Sequence, residues 1–440
     1  MRILLFSQYW HPENGVPQRR WQWLTKALVD AGHEVVVIAP QPHYARDTQL
    51  KTWLKEAGRV RGHHELIEHG PVGERVIRTR FLPFGNSVVG KASNQFFVAA
   101  ASLYFALRRG GPLRNWRPDL VIGTVPGLPT AVITQFAAKA YGIPYLIDLR
   151  DAWPELLFES QRWDDALDKG RFNISTLATK SAVKAGSRIV ARFLEQSLRS
   201  ASAITTTSEW LSDSLCAQDL ASGSVVTVRN LFPPAISPDD LSPHAKVAGE
   251  LNVLYAGTIG RAQNLQNAVY AAQIAQDSGV AINMKFVGGG AAYDALSRAI
   301  HSSGLAQCEL IERVDAAELV EYYSWADTAL VHLTDWKALE RAVPSKTYEL
   351  ASLGLFLTVV AEGEVRSLVE GQGVGVVVPP ADPEQLAKEW IALARQSSLD
   401  VKKEFAAALE VERVGAVDTL LRTVAQFGQS NTGGTDARVE

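Results

Sequence analysis

The stretch Val343-Pro344-Ser345-Lys346-Thr347-Tyr348-Glu349-Leu350 sets a hydroxyl, an ammonium and a carboxylate within about one turn of a helix start. Free backbone N–H groups at such a start bind anions, and a lysine beside them adds a point charge suited to phosphate. As a plain surface residue, Lys346 would be poorly placed against the helix dipole, which favours the phosphate reading. Glu349 can accept two hydrogen bonds from a ribose diol, as acidic residues do in dinucleotide sites; a first-turn glutamate favoured by the dipole is the alternative. Two further loops fit the same chemistry: Gly257-Thr258-Ile259-Gly260-Arg261 and Gly288-Gly289-Gly290, each after an apolar run. Glycines let a backbone approach a diphosphate, although tight packing alone can also demand them. Arg261 offers a planar cationic fork, and Gln263, Asn264 and Arg313 complete the donor-side candidates.

The elements that would carry these loops alternate along the chain. Short, nearly continuous apolar runs separated by helical patterns mark buried parallel strands in βαβ units. Strands are expected at Arg2–Ser7, Glu34–Ala39, Arg75–Phe81, Asp119–Thr124, Tyr145–Leu149 and Ala203–Thr207, with helices after Pro17, after Ala92, after Pro129 and around Ser175–Ser200. A Pro-rich linker at residues 231–250 interrupts this order. Strands resume at Asn252–Ala256, Asn283–Val287, near Cys308, at Thr328–His332, Leu355–Val360 and Val374–Val378. The expected fold class is α/β with two Rossmann-like doubly wound domains, residues 1–230 and 251–400. A helix over residues 401–427 is expected to return to the first domain, and residues 428–440 read as a disordered tail.

Open parallel sheets bind ligands at the carboxyl ends of their strands. The opening loop of the first domain and the Val343–Leu350 stretch of the second both occupy such positions, so a nucleotide-linked donor is expected in a central cleft between two domains. In the first loop Gly15 precedes Val16 and Pro17 at a helix start. Gln18 and Arg19 follow as acceptor-side candidates, with Trp21 and Trp23 as packing residues. Asp148-Leu149-Arg150-Asp151 ends another strand. From the residues alone, Asp151 reads as an ion-pair partner of Arg150 or a helix cap.

Composition bounds the class. At 440 residues with 47% apolar and 21% charged residues, the chain suits two or three globular domains. Cys216 and Cys308 give neither a disulfide framework nor a metal-ligand spacing, and no secretion signal opens the chain, so a cytoplasmic setting is expected. Residues 1–200 carry 27 Lys+Arg against 17 Asp+Glu, and the remainder 17 against 30, so the halves have opposite fields. The basic half could concentrate anionic lipids or diphosphates.

The segments VPSKTYELASLG, YAGTIGRAQNLQNAV, IDLRDAWPE and SQYWHPENGVPQRRWQWLTKALVDAGHEVVVIAP together resemble glycosyltransferase family 4, most of all its WbuB-like amino-sugar transferases. The resemblance spans roughly residues 1–400. It implies a GT-B fold, a nucleotide-sugar donor on the C-terminal domain, an acceptor on the N-terminal domain, and transfer with retention of configuration. It implies no metal, in keeping with the absence of Asp-x-Asp, and no nucleic-acid partner. Glu349 matches the family's ribose-binding Glu. The family's earlier sugar-holding Glu falls at Arg341, leaving Glu340 and Asp335 nearby as sugar contacts alongside Arg341 itself. The family's diphosphate-binding Arg and Lys fall at Thr258 and Gln263, so Arg261 and Lys346 are the compensating cations, named with Asp151 as the catalytic set. Gly15 sits in the loop that approaches the donor phosphates, and Arg150 and Asp151 fall on the acceptor side, Asp151 roughly where family members place a His or Asp beside the acceptor.

The same resemblance implies a polyprenyl-diphosphate-linked sugar acceptor in surface-polysaccharide assembly and a UDP-sugar donor, plausibly an N-acetylated hexosamine. Two segments point to peripheral contact with the inner face of the membrane. Phe96–Leu107 is too short to cross a bilayer but is followed by Arg108, Arg109, Arg114 and Arg117, with a buried core helix as the alternative. Lys180, Lys184, Arg188 and Arg192 repeat every four residues along one helical stripe. Other readings are a GDP-mannose-dependent phosphoinositide mannosyltransferase, an inactive sugar-nucleotide-binding scaffold, and a nicotinamide oxidoreductase. The last is disfavoured because no Gly-x-Gly-x-x-Gly follows either domain's first strand.

Overall fold

The computed structural model of the protein describes residues 1–13, 15–42, 67–83, 88–108, 110–159, 162, 175–399, 401 and 404–429, excepting the side chains of residues 88–89, 175–185 and 429. Two compact units emerge: Met1–Pro154 with Ala185–Phe232 and the chain from Val414, and Glu155–Lys184 with Pro233–Arg413.

In chain order the first elements are β1 (Arg2–Phe6), α1 (Val16–Asp30), β2 (Glu34–Pro40), β3 (Ile67–His69), β4 (Arg75–Thr79), α2 (Val88–Leu107), β5 (Leu120–Val125), α3 (Leu128–Tyr141), β6 (Tyr145–Leu149), α4 (Glu155–Phe158), α5 (Ser175–Arg199), β7 (Ala203–Thr206), α6 (Glu209–Ala217) and β8 (Ser224–Thr227). Their sheet runs β3-β4-β2-β1-β5-β6-β7-β8. The central strands β5 and β6 are buried at every position, which is why they read as unbroken apolar runs. From β1 to β2 the chain moves one way across the sheet, and from β4 onward the other way. Right-handed crossovers therefore put α1 on one face and α2, α3 and α5 on the other.

Two details differ from expectation. β3 pairs antiparallel with β4, so the sheet is not wholly parallel. It is a three-residue exposed edge strand, too short for an alternation to register. The short strand β8, parallel to β7, was likewise not anticipated. Of the two readings of Phe96–Leu107, the buried core helix does not hold: on α2, Val98, Ala99, Ser102 and Ala106 face the protein while Phe96, Tyr104 and Leu107 face solvent.

The second unit holds β9 (Glu250–Thr258), α7 (Gln266–Asp277), β10 (Ala281–Gly289), α8 (Tyr293–Ser303), β11 (Cys308–Ile311), α9 (Leu319–Trp325), β12 (Thr328–His332), a 3-10 turn at Lys337–Arg341, α10 (Ser345–Ser352), β13 (Phe356–Val360), α11 (Glu364–Gln372), β14 (Gly375–Val378) and α12 (Pro383–Ala394). The sheet order is β11-β10-β9-β12-β13-β14, and the pairings are parallel. Its core centres on Trp390 of α12, fully buried against the alanines Ala268, Ala271, Ala272 and Ala275 of α7, whose small side chains admit the indole. The last helix, α13 (Glu404–Gln429), lays Ala416, Leu420 and Val424 at i, i+4 spacing into the first unit's core beside Trp21, Leu24 and Leu28. The helix continues through Gly428 and Gln429, where the expected tail begins; residues 430–440 lie outside the described residues.

Candidate functional site

The strands of the second unit end at a cluster of loops. β9 and β10 pair in register through Gly288–Gly257 and Gly289–Thr258. A Cβ on Gly288 would come within 1.9 Å of the Gly257 carbonyl oxygen, and one on Gly290 within 2.3 Å of the Ile259 carbonyl oxygen. Packing of the two loops thus requires these glycines, whatever they bind. Gly289 has open space in front of it. The amide of Ile259 donates to Gly289 O at 3.1 Å, and the amide of Ala292 returns to Ile259 O at 3.0 Å. Beyond them Thr258 is exposed and Gly260, Arg261, Gln263 and Asn264 are half-buried, with Asn264 at a φ of 41°. The amide of Thr334 donates to Ala262 O at 2.8 Å, joining this loop to the one after β12. Arg313 lies apart, exposed in the loop after β11.

α10 starts at Ser345 after Pro344, with Ser345 and Glu349 both buried. Lys346 Nζ donates to Glu349 Oε1 at 2.9 Å and to the Tyr323 hydroxyl oxygen at 2.7 Å, and lies 5.4 Å from the Tyr323 ring centre. Burial alone would lower the Lys346 pKa; the Tyr323 oxygen and the Glu349 carboxylate outweigh it and raise it above the ordinary lysine value. Lys346 is therefore a fixed cation with part of its surface open. Sequence reading missed Tyr323, which reaches the group from α9, 23 residues earlier.

The loop after β12 and the turn after β13 form a small open pocket of about 70 Å³ lined in part by Thr334, Asp335, Trp336, Glu340 and Glu362. Asp335 and Glu340 are thus brought together, and Glu362 adds a third carboxylate that no motif marked. Asp335 pairs with Arg162, whose hydrogen bond chiefly lowers its pKa, and Lys337 pairs with Glu340 at 2.6 Å. Arg341 does not join them. Its guanidinium turns to the Glu155 carboxylate of α4, an ion pair within the same unit. Beneath these loops His332 is buried with Nε2 3.1 Å from Asn267 Nδ2, and burial pushes its pKa down to about 3.

In the first unit Gly15 caps α1 in extended conformation, with Pro17 in the first turn. A Cβ there would meet the Gln18 amide oxygen at 2.5 Å; that oxygen is buried and makes no hydrogen bond. Arg19 stacks over Phe232 at 4.5 Å, and Trp21 is buried in the core. The residue sequence reading passed over is Arg20. Fully buried, it donates to both oxygens of Asp148, at 3.3 and 2.8 Å, and to Val228 O at 2.8 Å. Trp21 Nε1 and Thr205 Oγ1 complete the Asp148 shell at 2.7 and 2.8 Å. Burial pushes the Asp148 pKa up, but Arg20 and the shell prevail and lower it.

Two residues on, Arg150 and Asp151 are half-buried past the end of β6. Burial, then the negative charge of Asp148, raises the Asp151 pKa against the pull of Arg150. Arg150 Nε and Nη1 are buried and make no hydrogen bond, so this guanidinium has donors to spare at a strand's carboxyl end. Among the described residues no three His, Cys, Asp or Glu side chains are placed to hold a metal ion.

Residues 15–230 match the glycosyl transferase 4-like domain, and residues 238–407 match glycosyl transferases group 1. A protein of Escherichia coli (strain K12) named as a colanic acid biosynthesis glycosyl transferase, WcaI, is 23% identical over 444 residues, covering 96% of this chain and 98% of that one. Among solved structures, sucrose-phosphate synthase from Thermosynechococcus elongatus superposes with a TM-score of 0.64 at 16% identity, covering 98% of this chain and 99% of that one. The lipopolysaccharide outer core galactosyltransferase WaaB superposes at 0.56 with 13% identity, covering 97% and 99%. Two Rossmann-like sheets, a helix start carrying Ser345, Lys346 and Glu349, and both family matches agree: the chain belongs to the family-4 glycosyltransferases of the GT-B fold.

Proposed function

We propose that the protein moves an N-acetylated hexosamine from a UDP-sugar to a polyprenyl-diphosphate-linked sugar, with retention of configuration and without a metal, in the assembly of a surface polysaccharide at the membrane's inner face. The observation that carries the donor half is the Tyr323–Lys346–Glu349 cluster at the start of α10. Glu349 is the ribose acceptor, and Lys346 with Arg261 faces the diphosphate. As the bond from the anomeric carbon to the diphosphate oxygen breaks, charge accumulates on that oxygen, and fixed cations lower the barrier. The acceptor hydroxyl bonds to the anomeric carbon on the same face and passes its proton to the departing diphosphate. Asp151 orients the acceptor, and Asp335, Glu340 and Glu362 contact sugar hydroxyls. The spare donors of Arg150 suit an anionic acceptor. The WcaI relative, named for colanic acid biosynthesis, supports a polysaccharide product.

The test is UDP release from UDP-N-acetylhexosamines with and without a short-chain polyprenyl-diphosphate sugar. Acceptor-dependent release is expected, and Lys346→Ala or Arg261→Ala should slow it on the order of 100-fold. Release within threefold of wild type in both variants would remove the assigned roles. GDP release from GDP-mannose in place of UDP release would overturn the donor assignment.

A further inference from the structure

The exposed large apolar side chains are unevenly distributed. Of the fourteen among the described residues, seven lie on α2, α3 and the second half of α5. On α2 they are Phe96, Tyr104 and Leu107. Phe136 is the one on α3, and Ile189, Val190 and Phe193 are those on α5. Each is between 40% and 69% exposed, while the inward positions of the same helices, such as Ala106, Ala137 and Leu194, are buried. These are three helices of one layer. α2 packs on α3, and the Tyr141 hydroxyl donates to the Ala106 carbonyl. Ser197 Oγ of α5 lies 3.2 Å from Gln135 Oε1 of α3, and Tyr145 of β6 donates to Ser197 O at 2.7 Å. The apolar side chains therefore project outward from one face of the first unit's sheet.

The charges around them have one sign. α2 and α3 contain no acidic residue, and between residues 88 and 141 six Lys and Arg stand against Asp119 alone. Arg108 lies over the Tyr104 ring at 5.6 Å, and Lys139, Arg188 and Arg192 are exposed beside the apolar positions. Glu195 is the acidic residue of α5, and it is half-buried. Lys180 and Lys184, of the expected stripe, have side chains outside the described residues, as does Arg109 entirely, and none is needed here. No helix among the described residues is long and apolar enough to cross a membrane.

The geometry points to this three-helix face as the surface on which the protein docks to an anionic lipid bilayer, its aromatic and aliphatic side chains entering the interface and its cations meeting the headgroups. This deepens the reading of a lipid-linked acceptor and rests on it for the biological setting, though not for the physical binding. Charge selects the occupant. A second copy of the same face would bring cations against cations, whereas an anionic bilayer offers complementary charge and an apolar layer together. Interfacial aromatics and basic residues on adjacent helices supply both contributions at once.

The experiment is co-sedimentation of the full chain with phosphatidylcholine vesicles, with and without 30% phosphatidylglycerol, in the absence of donor and acceptor. Wild type should bind the anionic vesicles at least tenfold more tightly than the neutral ones, and high salt should weaken that binding. Phe136→Glu with Phe193→Glu, and separately Arg188→Glu with Arg192→Glu, should each reduce anionic binding at least tenfold. Tyr270→Glu, an exposed aromatic of α7, should not. UDP affinity and melting temperature should be unchanged in all of them, since the positions are exposed and belong to no candidate site. Equal binding of neutral and anionic vesicles would overturn the proposal. So would binding unmoved by both double variants, or a loss of self-association in place of a loss of vesicle binding. Failure of glycosyl transfer with vesicle binding intact would overturn the enzymatic reading and leave this one standing.

Discussion

Two ion pairs built from the same chemistry differ in how much of each the protein covers. Arg20 and Asp148 in the first unit have side chains with 0% exposure, while Lys346 and Glu349 in the second retain 28% and 8%. Around Asp148 each oxygen is taken up by Arg20, Trp21 or Thr205, and Arg20 is further tied to the carbonyls of Val228 and Arg229. No capacity is left for a ligand, so the pair fastens α1 to β6, β7 and the strand-end backbone. Lys346 donates to Glu349 and to Tyr323 and still keeps over a quarter of its side chain open, which is what the proposed contact with a diphosphate needs. Exposure, more than residue type, is what distinguishes the two pairs.

The largest expected effect breaks the first pair. Asp148→Ala strands a buried guanidinium and should cost about 3–5 kcal/mol in denaturant unfolding, whereas Lys346→Met, at a part-exposed pair, should cost about 1 kcal/mol or less. Their activities should reverse that order per folded molecule. Lys346→Met should lower turnover on the order of 100-fold at near-native stability, separating chemistry from folding in a single variant.

Acid should sharpen the contrast between the units. Asp148 has a folded pKa below its ordinary value, so its contribution is present above about pH 3.8 and is lost only as pH falls through that lower value. His332, held neutral with a pKa near 3, resists a proton that the unfolded chain accepts from about pH 6.5 downward. Stability should then fall by up to about 1.4 kcal/mol per pH unit between those limits, and His332→Gln should flatten that slope. The smallest effect is a labelling difference. Cys216 of the first unit is exposed and should react with iodoacetamide in the native protein, while burial pushes the Cys308 thiol up to about 12 and should delay its reaction until denaturation.

The comparison also shows what sequence can carry. Buried parallel strands such as β5, β6, β12 and all but the first residue of β13 are mostly apolar, so their existence was legible from runs alone. β3 and β8 escaped because a three- or four-residue edge strand leaves no pattern. Ser345, Lys346 and Glu349 were legible together because they share one helical turn. Tyr323 was not, since only the packing of α9 beside α10 brings it to Lys346. Arg20 and Asp148 lie 128 residues apart, and next to Arg19 and Arg150 nothing in the sequence marks which arginine is inside. The glycines Gly288 and Gly290 read as a phosphate cradle, yet their space is already claimed by the backbone of the neighbouring loop.

The most direct test of the contrast is a calorimetric titration of UDP into wild type and Glu349→Ala, with melting curves for both and for Asp148→Ala. UDP affinity should fall at least tenfold in Glu349→Ala while its melting temperature stays close to wild type, and Asp148→Ala should melt far earlier. Unchanged UDP affinity in Glu349→Ala, or a collapse of its melting temperature to that of Asp148→Ala, would make the second pair a scaffold like the first and contradict its assignment as the donor site.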